Sequence, residues 1–209
     1  MFRHAYRLAA LGVVCTTAAV IGACSDSTAQ GTGTLQLQLT DAPFSSDSVS
    51  RVDVFVVRVD TRQESSDAAA ATTNVEDASV SSSGWTTVAT PNQKIELLAL
   101  RNGITTTLGT KTLTAGSYQS LRLIIDPSQS SVTLKNGTVL TATSTPGVSF
   151  PSAARSGIKI NLDTPIVIAA DGTTSALVDF DVDHSFVMRG SSIAGGGLNF
   201  TPVVRGTIR

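Results

Sequence analysis

The stretch Thr34-Leu35-Gln36-Leu37-Gln38-Leu39-Thr40 decides the fold class of this chain. Side chains of a β-strand point to opposite faces in turn, so leucine alternating with glutamine predicts a strand with one buried face. Asp41-Ala42-Pro43 ends this strand, because proline has no N–H with which to continue the ladder. Residues Arg51 to Val59 carry valine or phenylalanine in both phases. This pattern predicts a second strand that is covered on both faces.

Turn signals separate the β-branched segments that follow. Asn102-Gly103, Asn136-Gly137 and Asp171-Gly172 each stand beside strand-like residues, and such pairs favour hairpins because the central positions need positive φ angles. A last strand is predicted near Leu198 to Ile208, and no long stretch carries a helical period. Many short strands joined by turns predict an all-β fold, an antiparallel sandwich or a barrel.

The N-terminus has the layout of a bacterial lipoprotein signal. Arg3 and Arg7 precede an apolar stretch from Leu8 to Val20, which is followed by the lipobox Ile21-Gly22-Ala23-Cys24. Charge, apolar run and small residues come in the order of an export signal. We therefore expect Cys24 to receive a lipid and become the new N-terminus. An ordinary cleaved signal with an incidental cysteine is the alternative.

The remaining chain divides into a tether, a domain and an insertion. We expect residues 1–23 to be removed as the signal peptide and residues 24–33, which are small and polar, to be a flexible tether. The β-sandwich domain is predicted over residues 34–209. Within it, residues 61–83 contain no aromatic side chain and few large apolar ones. Such a composition does not offset the entropy of ordering, so a long, mobile polar loop is predicted there.

Composition excludes several classes of function. Cys15 lies in the signal and Cys24 is committed to lipid, so no disulfide and no zinc site built on several Cys or His ligands is expected in the domain. His184 is the single histidine left after His4 is removed, and a Ser-His-Asp site would depend on it. The formal net charge is −1 before the arginines of the signal are lost. A chain of this charge is not expected to bind nucleic acid.

The acidic segment Asp179-Phe180-Asp181-Val182-Asp183 is the richest cluster of titratable groups. In a continuous strand, Asp179, Asp181 and Asp183 would share one face, about 7 Å apart. Three interpretations remain open. The face is solvated and prevents edge-to-edge pairing, or it binds Ca²⁺ with help from Asp41 or Asp126, or two of its carboxylates form a glycosidase pair. No other cofactor is expected.

Tyr118 and His184 each allow a structural and a functional interpretation. Gly116 and Tyr118 at a strand entrance are typical of a tyrosine corner, in which the hydroxyl bonds to nearby backbone; a ligand-stacking tyrosine is the alternative. His184 falls in the apolar phase of the predicted acidic strand. We expect it to lie at the edge of the core rather than to act as a catalytic base.

The chain also resembles a bacterial lipoprotein family, domain of unknown function 4382, over about residues 33 to 206. The resemblance rests on the order and spacing of several short pieces. The pieces are Gly33-Thr34-Leu35 through Leu39-Thr40-Asp41-Ala42-Pro43, Leu97 through Gly103, Leu113 through Tyr118 with Leu121-Arg122-Leu123, Pro151-Ser152, Ser156-Gly157-Ile158-Lys159, Asp179-Phe180-Asp181 with Ser185, and Thr201-Pro202-Val203-Val204-Arg205. The family implies an exported, mostly lipid-anchored β-sandwich of Ig-like or prealbumin-like character. It implies no activity.

These features lead to one expected function and one rival. We expect a non-enzymatic module of the cell envelope, anchored through Cys24, that binds a glycan or an envelope protein or serves a structural role. Ser25, at the second mature position, favours the outer membrane of a diderm host. The rival is an envelope hydrolase that acts through Asp179 and Asp181, or a calcium-binding module that uses the same segment with Asp183.

Overall fold

The computed structural model describes residues 31–42, 48–63, 84–151 and 157–209. Strands dominate these ranges, with a few single-turn helices between them. The strands are β1 (Thr32–Asp41), β2 (Val49–Gln63), β3 (Trp85–Ala89), β4 (Gln93–Glu96), β5 (Thr106–Thr114), β6 (Gly116–Leu134), β7 (Val139–Leu140), β8 (Val148–Ser149), β9 (Ile158–Leu162), β10 (Ile166–Ile168), β11 (Thr173–Phe180), β12 (Phe186–Met188), β13 (Leu198–Phe200) and β14 (Val204–Ile208). The helical turns are a 3₁₀ helix (Leu97–Leu100), α1 (Val182–Ser185) and α2 (Ile193–Gly196).

One continuous ladder carries the fold, in the order β3-β2-β6-β9-β14-β11-β1-β5. β4 adds to β2, while β7 and β10 add to β6, and β12-β13-β8 form a small separate sheet. The ladder surrounds one core, so the arrangement is a sandwich that comes near to a barrel. The predicted all-β class is therefore confirmed.

Strand pairing is mixed rather than wholly antiparallel. β1 pairs in parallel with β11, and β14 with β9, while β13 and β8 are parallel in the small sheet. Turn signals indicate only how strands that are neighbours in sequence are joined. Parallel pairs need long crossovers, and the pairing of residues 34–41 with 173–180 has no local signal.

The leucine stripe forms the inner face of β1. Leu35, Leu37 and Leu39 are fully buried, whereas Gln36 and Gln38 remain partly exposed. The strand predicted over Arg51 to Val59 is also present, and it is longer than predicted, since β2 runs from Val49 to Gln63. It pairs along most of its length with β6.

Two predicted boundaries are wrong by a few residues. Thr32 and Gly33, placed in the tether, belong to β1. Thr61, placed in the polar loop, is fully buried in β2, and its hydroxyl donates to the Ser120 carbonyl at 3.1 Å. The strand continues to Gln63 because its hydrogen bonding to β6 continues, although the sequence has already become polar. Residues 64–83, like the signal and Cys24, lie outside the described residues.

The three turn signals have different outcomes. Asn136-Gly137 joins β6 and β7 in the predicted hairpin. Asn102 and Gly103 both have positive φ angles, 61° and 81°, but they follow the 3₁₀ helix rather than a strand. Asp171 has a φ of 57°, and its turn connects β10, which pairs with β6, to β11, which pairs with β1 and β14. Turn chemistry thus predicts the reversal but not which strands pair.

The predicted last strand is interrupted. Residues 201–203, which include Pro202, separate β13 from β14. Phe200 of β13 is fully buried and lies among three other rings. Its ring centroid is 5.1 Å from that of Phe150, 6.1 Å from that of Phe180 and 5.0 Å from that of Phe186. This cluster attaches the small sheet to the main sandwich.

Candidate functional site

The acidic segment does not form the continuous strand that we predicted. β11 ends at Phe180, and Asp181 becomes the N-cap of α1, with its Oδ1 accepting from the His184 N–H at 3.1 Å. Chain direction changes there, so Asp179, Asp181 and Asp183 do not share one strand face. A helix of four residues is too short to have a period that sequence inspection would find, and its capping carboxylate is the physical cause of the turn.

The structure brings Asp41 to this segment. Asp41 is 3% exposed, and its Oδ1 accepts from the Val182 N–H at 3.2 Å, so it caps the same helix. Its Oδ2 is buried and has no hydrogen-bond partner among the described residues. Burial raises the pKa of Asp41 from 3.8 to about 7, and the charges of Asp179 and Asp181 act in the same direction. The Val182 N–H and Arg101 oppose them.

Asp179 lies beside Asp41 at the ends of the parallel strands β1 and β11. Burial raises its pKa, and the negative charge of Asp181 raises it further, against Arg205 and the Ala42 N–H. Its Oδ1 is also buried, and no atom of the described ranges forms a hydrogen bond with it. Asp126, the other carboxylate proposed for this site, is elsewhere on β6 and bonds to Ser128 and Gln129. Those hydrogen bonds lower the pKa of Asp126.

The strand-face geometry on which the calcium and glycosidase interpretations depended is therefore wrong. Within the described ranges, no three His, Cys, Asp or Glu side chains lie together in a way that could hold a metal ion. A calcium site at Asp179, Asp181 and Asp183 stays a prediction without that geometric support.

His184 also differs from its predicted position. Its side chain is 71% exposed rather than at the core edge, and its Nδ1 lies 2.8 Å from Oδ2 of Asp181. The hydrogen bond to Asp181, together with that residue's charge, raises the pKa of His184. The residue belongs to a hydrogen-bonded pair with Asp181 at the surface of α1.

Tyr118 is the corner tyrosine that its sequence context predicted. It is 3% exposed, and its hydroxyl donates to the Thr114 carbonyl at 2.9 Å. Burial raises the pKa of this phenol. The ring also contributes to the wall of a cleft, so its structural role places it next to the second candidate site.

That cleft opens at the seam between the two ends of the ladder. At one end of the seam β3 and β5 lie close together, since a Cβ on Gly109 would be 2.8 Å from the Cβ of Ala89. Further along, the strands enclose an open space of about 510 Å³. The residues that line it are Gln63, Gly84, Trp85, Thr86, Lys111, Thr112, Leu113, Thr114 and Tyr118.

Trp85 is the aromatic side chain of this cleft that is best placed to meet a ligand. It is partly exposed, and the guanidinium carbon of Arg122 lies 4.4 Å from its ring centroid. Arg122 Nε bonds to Oδ2 of Asp60 at 2.9 Å. Asp60 also accepts from Arg58 Nε at 3.1 Å and from the Thr87 hydroxyl at 2.9 Å. A cation–π contact on a buried ion pair restrains the indole.

Polar groups of several kinds surround the indole. Thr86, Thr112 and Thr114 offer hydroxyls, Gln63 an amide and Lys111 an ammonium group. Small-ligand sites combine aromatic and apolar side chains with polar groups that fix the orientation of the ligand. Sequence reasoning missed this cleft because its residues come from separate strands. The one usable signal was that Trp85 is the single tryptophan of the chain and stands at a strand start.

No helix among the described residues is long and apolar enough to cross a membrane.

Comparison with known proteins gives a family and no closer relative. Neither a curated protein nor a solved structure matches the chain. Residues 32–202 match a family described as "Domain of unknown function (DUF4382)". They include the leucine strand, the Trp85 cleft and the Asp41–Asp179 cluster, and the chain belongs to this family.

Proposed function

We propose that this protein is an exported, lipid-anchored module of the cell envelope that binds a glycan in the Trp85 cleft without chemically altering it. The observation that carries the proposal is the cleft itself. It combines a restrained, partly exposed indole with hydroxyl, amide and ammonium groups in an open space of about 510 Å³.

Sugar rings suit such a site. A saccharide presents flat C–H faces that pack on an aromatic ring, and its hydroxyls both donate and accept hydrogen bonds, as do threonine and glutamine side chains. A tryptophan that is already fixed loses little conformational freedom when a ligand binds. The contact of Trp85 with Arg122 supports such preorganisation.

Delivery to the envelope is supported by the sequence. The lipobox at Cys24 and the small polar residues after it would attach the domain to a membrane by a flexible tether. Ser25 favours the outer membrane of a diderm host. A membrane-attached module with a polar cleft would meet saccharides of the envelope or of its surroundings.

The position of Asp41 supports a binding rather than a hydrolytic role. A general acid must come within hydrogen-bonding distance of the atom that it protonates, whereas Asp41 is 3% exposed and engaged with the Val182 N–H. The raised pKa values of Asp41 and Asp179 are the observations that favour the rival hydrolase. Release of reducing ends from a bound saccharide, lost in Asp179→Asn and Asp181→Asn, would establish the rival instead.

The binding test uses the single tryptophan. Envelope polysaccharides and oligosaccharides of defined composition are titrated into the full chain in detergent micelles, and the fluorescence of Trp85 is followed. We expect a saturable change with at least one saccharide. Retardation of the protein in polysaccharide gels provides a second measurement that does not need tryptophan.

Two variants in the cleft and one control variant outside it locate the site. Trp85→Ala should abolish gel retardation, while Val187→Ala, at an exposed position on β12, should leave it unchanged. Thr112→Phe, also at an exposed position, should block the cleft while keeping the fluorescence of Trp85. Saccharide binding that survives both cleft variants would refute the proposal, as would the absence of binding to any saccharide.

A further inference from the structure

We infer that the saccharide bound in the Trp85 cleft carries an anionic group, a carboxylate or a phosphate; this inference rests on the proposed function and names its ligand class. The argument begins with the charges on the cleft wall. Lys111 on β5 is exposed and lines the cleft, and the lining includes no Asp or Glu among the residues that the structure describes. The ionisable side chains of the lining thus favour a negative ligand.

A second cation lies at the rim, on the opposite side of the seam from Lys111. Arg62 of β2 is paired directly with Trp85 of β3. Its guanidinium lies against Gly84, since a Cβ on that lining glycine would be 3.4 Å from Arg62 Nε. Because residues directly opposite in an antiparallel pair project to the same side of the sheet, Arg62 and Trp85 are neighbours on one face.

A cluster of two guanidinium groups and one carboxylate lies next to the indole. Arg122 and Arg58 both pair with Asp60, so two guanidinium groups are bonded to this carboxylate. Arg122 is 2% exposed, and its buried Nη1 has no hydrogen-bond partner in the part of the chain that the structure describes. Charges buried in a medium of low dielectric are screened less than exposed ones. This cluster therefore adds to the positive potential near Trp85.

Hydrogen-bonding capacity points in the same direction. An ammonium group has three donors and no acceptor, and a guanidinium group has five donors and no acceptor. A cleft with these groups at its wall and rim, together with an amide and hydroxyls, has an excess of donors. Ligands rich in acceptors match that excess, and ionised oxygens form the stronger, charge-assisted hydrogen bonds. An anionic saccharide supplies both the acceptors and the charge.

The whole chain is not basic, so the attraction must be local. Its formal net charge is −1, and a weakly acidic protein does not collect polyanions by general electrostatics. Binding of an anionic saccharide should therefore depend on the cleft residues. Its affinity should also fall as salt is added, at concentrations at which the Debye length is about 10 Å or less.

The test compares three oligosaccharides of similar length by the fluorescence of Trp85 in the full chain. They are a hexuronate oligomer, the same oligomer as its methyl ester, and a neutral oligomer to which phosphate has been attached. We expect the hexuronate or the phosphorylated oligomer to bind about tenfold more tightly than the uncharged methyl ester, the equivalent of one charge-assisted hydrogen bond. The tighter of the two identifies the anionic group.

Charge variants separate this inference from the proposed function. Lys111→Gln should remove most of the preference for the anionic oligomer, and Lys111→Arg should restore it. Lys94→Gln removes the same charge from an exposed position on β4 outside the cleft lining and should have no effect. Equal affinity for hexuronate, ester and phosphorylated oligomer, with retardation in polysaccharide gels lost in Trp85→Ala, would overturn the anionic class while leaving glycan binding intact. Binding of none of them would overturn both.

Discussion

The carboxyl group of Asp41 occupies a position where negative charge is costly. It closes the inner face of β1 after three buried leucines, and within the described ranges one of its oxygens has no hydrogen-bond partner. Burial raises its pKa, and among the described residues the charges of Asp179 and Asp181 raise it further, whereas that of Arg101 lowers it. Desolvation and like charge both favour the protonated form. The helical turn that Asp41 caps is consequently held by a group that is partly ionised near neutrality.

Asp41 should make the stability of the protein fall as pH rises. Its pKa is about 7 in the folded state against an ordinary value of 3.8. Its favourable contribution to the free energy of unfolding is therefore complete below about pH 4 and is lost as the pH rises to about 7. The expected loss over this range is on the order of 3–4 kcal/mol, the equivalent of a shift of about three pKa units. Urea unfolding at a series of pH values measures it, and Asp41→Asn should flatten this dependence.

Asp126→Asn is the matched control. The pKa of Asp126 is lowered by hydrogen bonds from Ser128 and Gln129, so its contribution is present above the ordinary pKa and is lost as pH falls below it. Replacing Asp126 should change stability in acid and leave the slope toward neutral pH unaltered. An unchanged slope in Asp41→Asn would show that the buried carboxyl does not titrate in this range.

Tyr118 ties the end of β5 to the start of β6. Tyr118→Phe keeps the ring but removes the donor to the Thr114 carbonyl. We expect a loss of about 0.5–1.5 kcal/mol in the free energy of unfolding, the net value of one such hydrogen bond. Chemical denaturation measures it. A neutral result would mean that the carbonyl finds another donor when the hydroxyl is absent.

At the scale of elements, α1 is a single turn held by side chains rather than by helix propensity. Asp181 accepts from the His184 N–H, and Asp41 accepts from the Val182 N–H. Isolated helices of this length do not persist. The turn also places Phe186 beside Phe200, so the two carboxylates position the small sheet.

Asp181→Ala should therefore cost about 1 kcal/mol of stability, the usual effect of losing an N-cap, and Asp181→Asn should keep most of it because asparagine also caps well. Thermal unfolding of both variants compares them. Addition of Ca²⁺ to the wild type in the same experiment tests the calcium interpretation. A calcium-dependent rise in Tm that disappears in Asp181→Asn would establish a cation site.

At the scale of the whole molecule, the ladder does not close on itself. β9 joins its two halves by pairing with β14 and with β6, whereas β3 and β5 remain as the two ends. They lie close together at Ala89 and Gly109 and leave the cleft beside Trp85. The proposed site thus occupies the place where a near-barrel is incomplete.

The proposed anchor belongs to the same scale, because it would decide where the cleft is displayed. Cys24→Ala should abolish lipid labelling and release the protein from membranes, and the wild type should fractionate with the outer membrane of a diderm host. Saccharide binding by Cys24→Ala should remain unchanged, because Cys24 precedes residues 32–202, the region that matches the family and contains the cleft residues. Recovery of the wild type in the inner membrane alone would contradict the predicted sorting.

Sequence by itself determined the features that depend on neighbouring residues. The inner face of β1 follows from the alternation of leucine and glutamine, the hairpin between β6 and β7 from Asn136-Gly137, and the corner bond of Tyr118 from a contact four residues away. Each is a local interaction, so its cause can be seen in one short stretch. Local pattern was misleading at Asp181, where a cap starts a helix too short to have a period.

Tertiary structure alone decided the features that depend on residues far apart in sequence. Pairing of β1 with β11 brings Asp41 beside Asp179, and burial there changes the pKa of both carboxyls. The cleft needs β2, β3, β5 and β6 together before Trp85 and Lys111 can line one space. Burial, desolvation and strand pairing are properties of the assembled core. No short segment of the chain carries them.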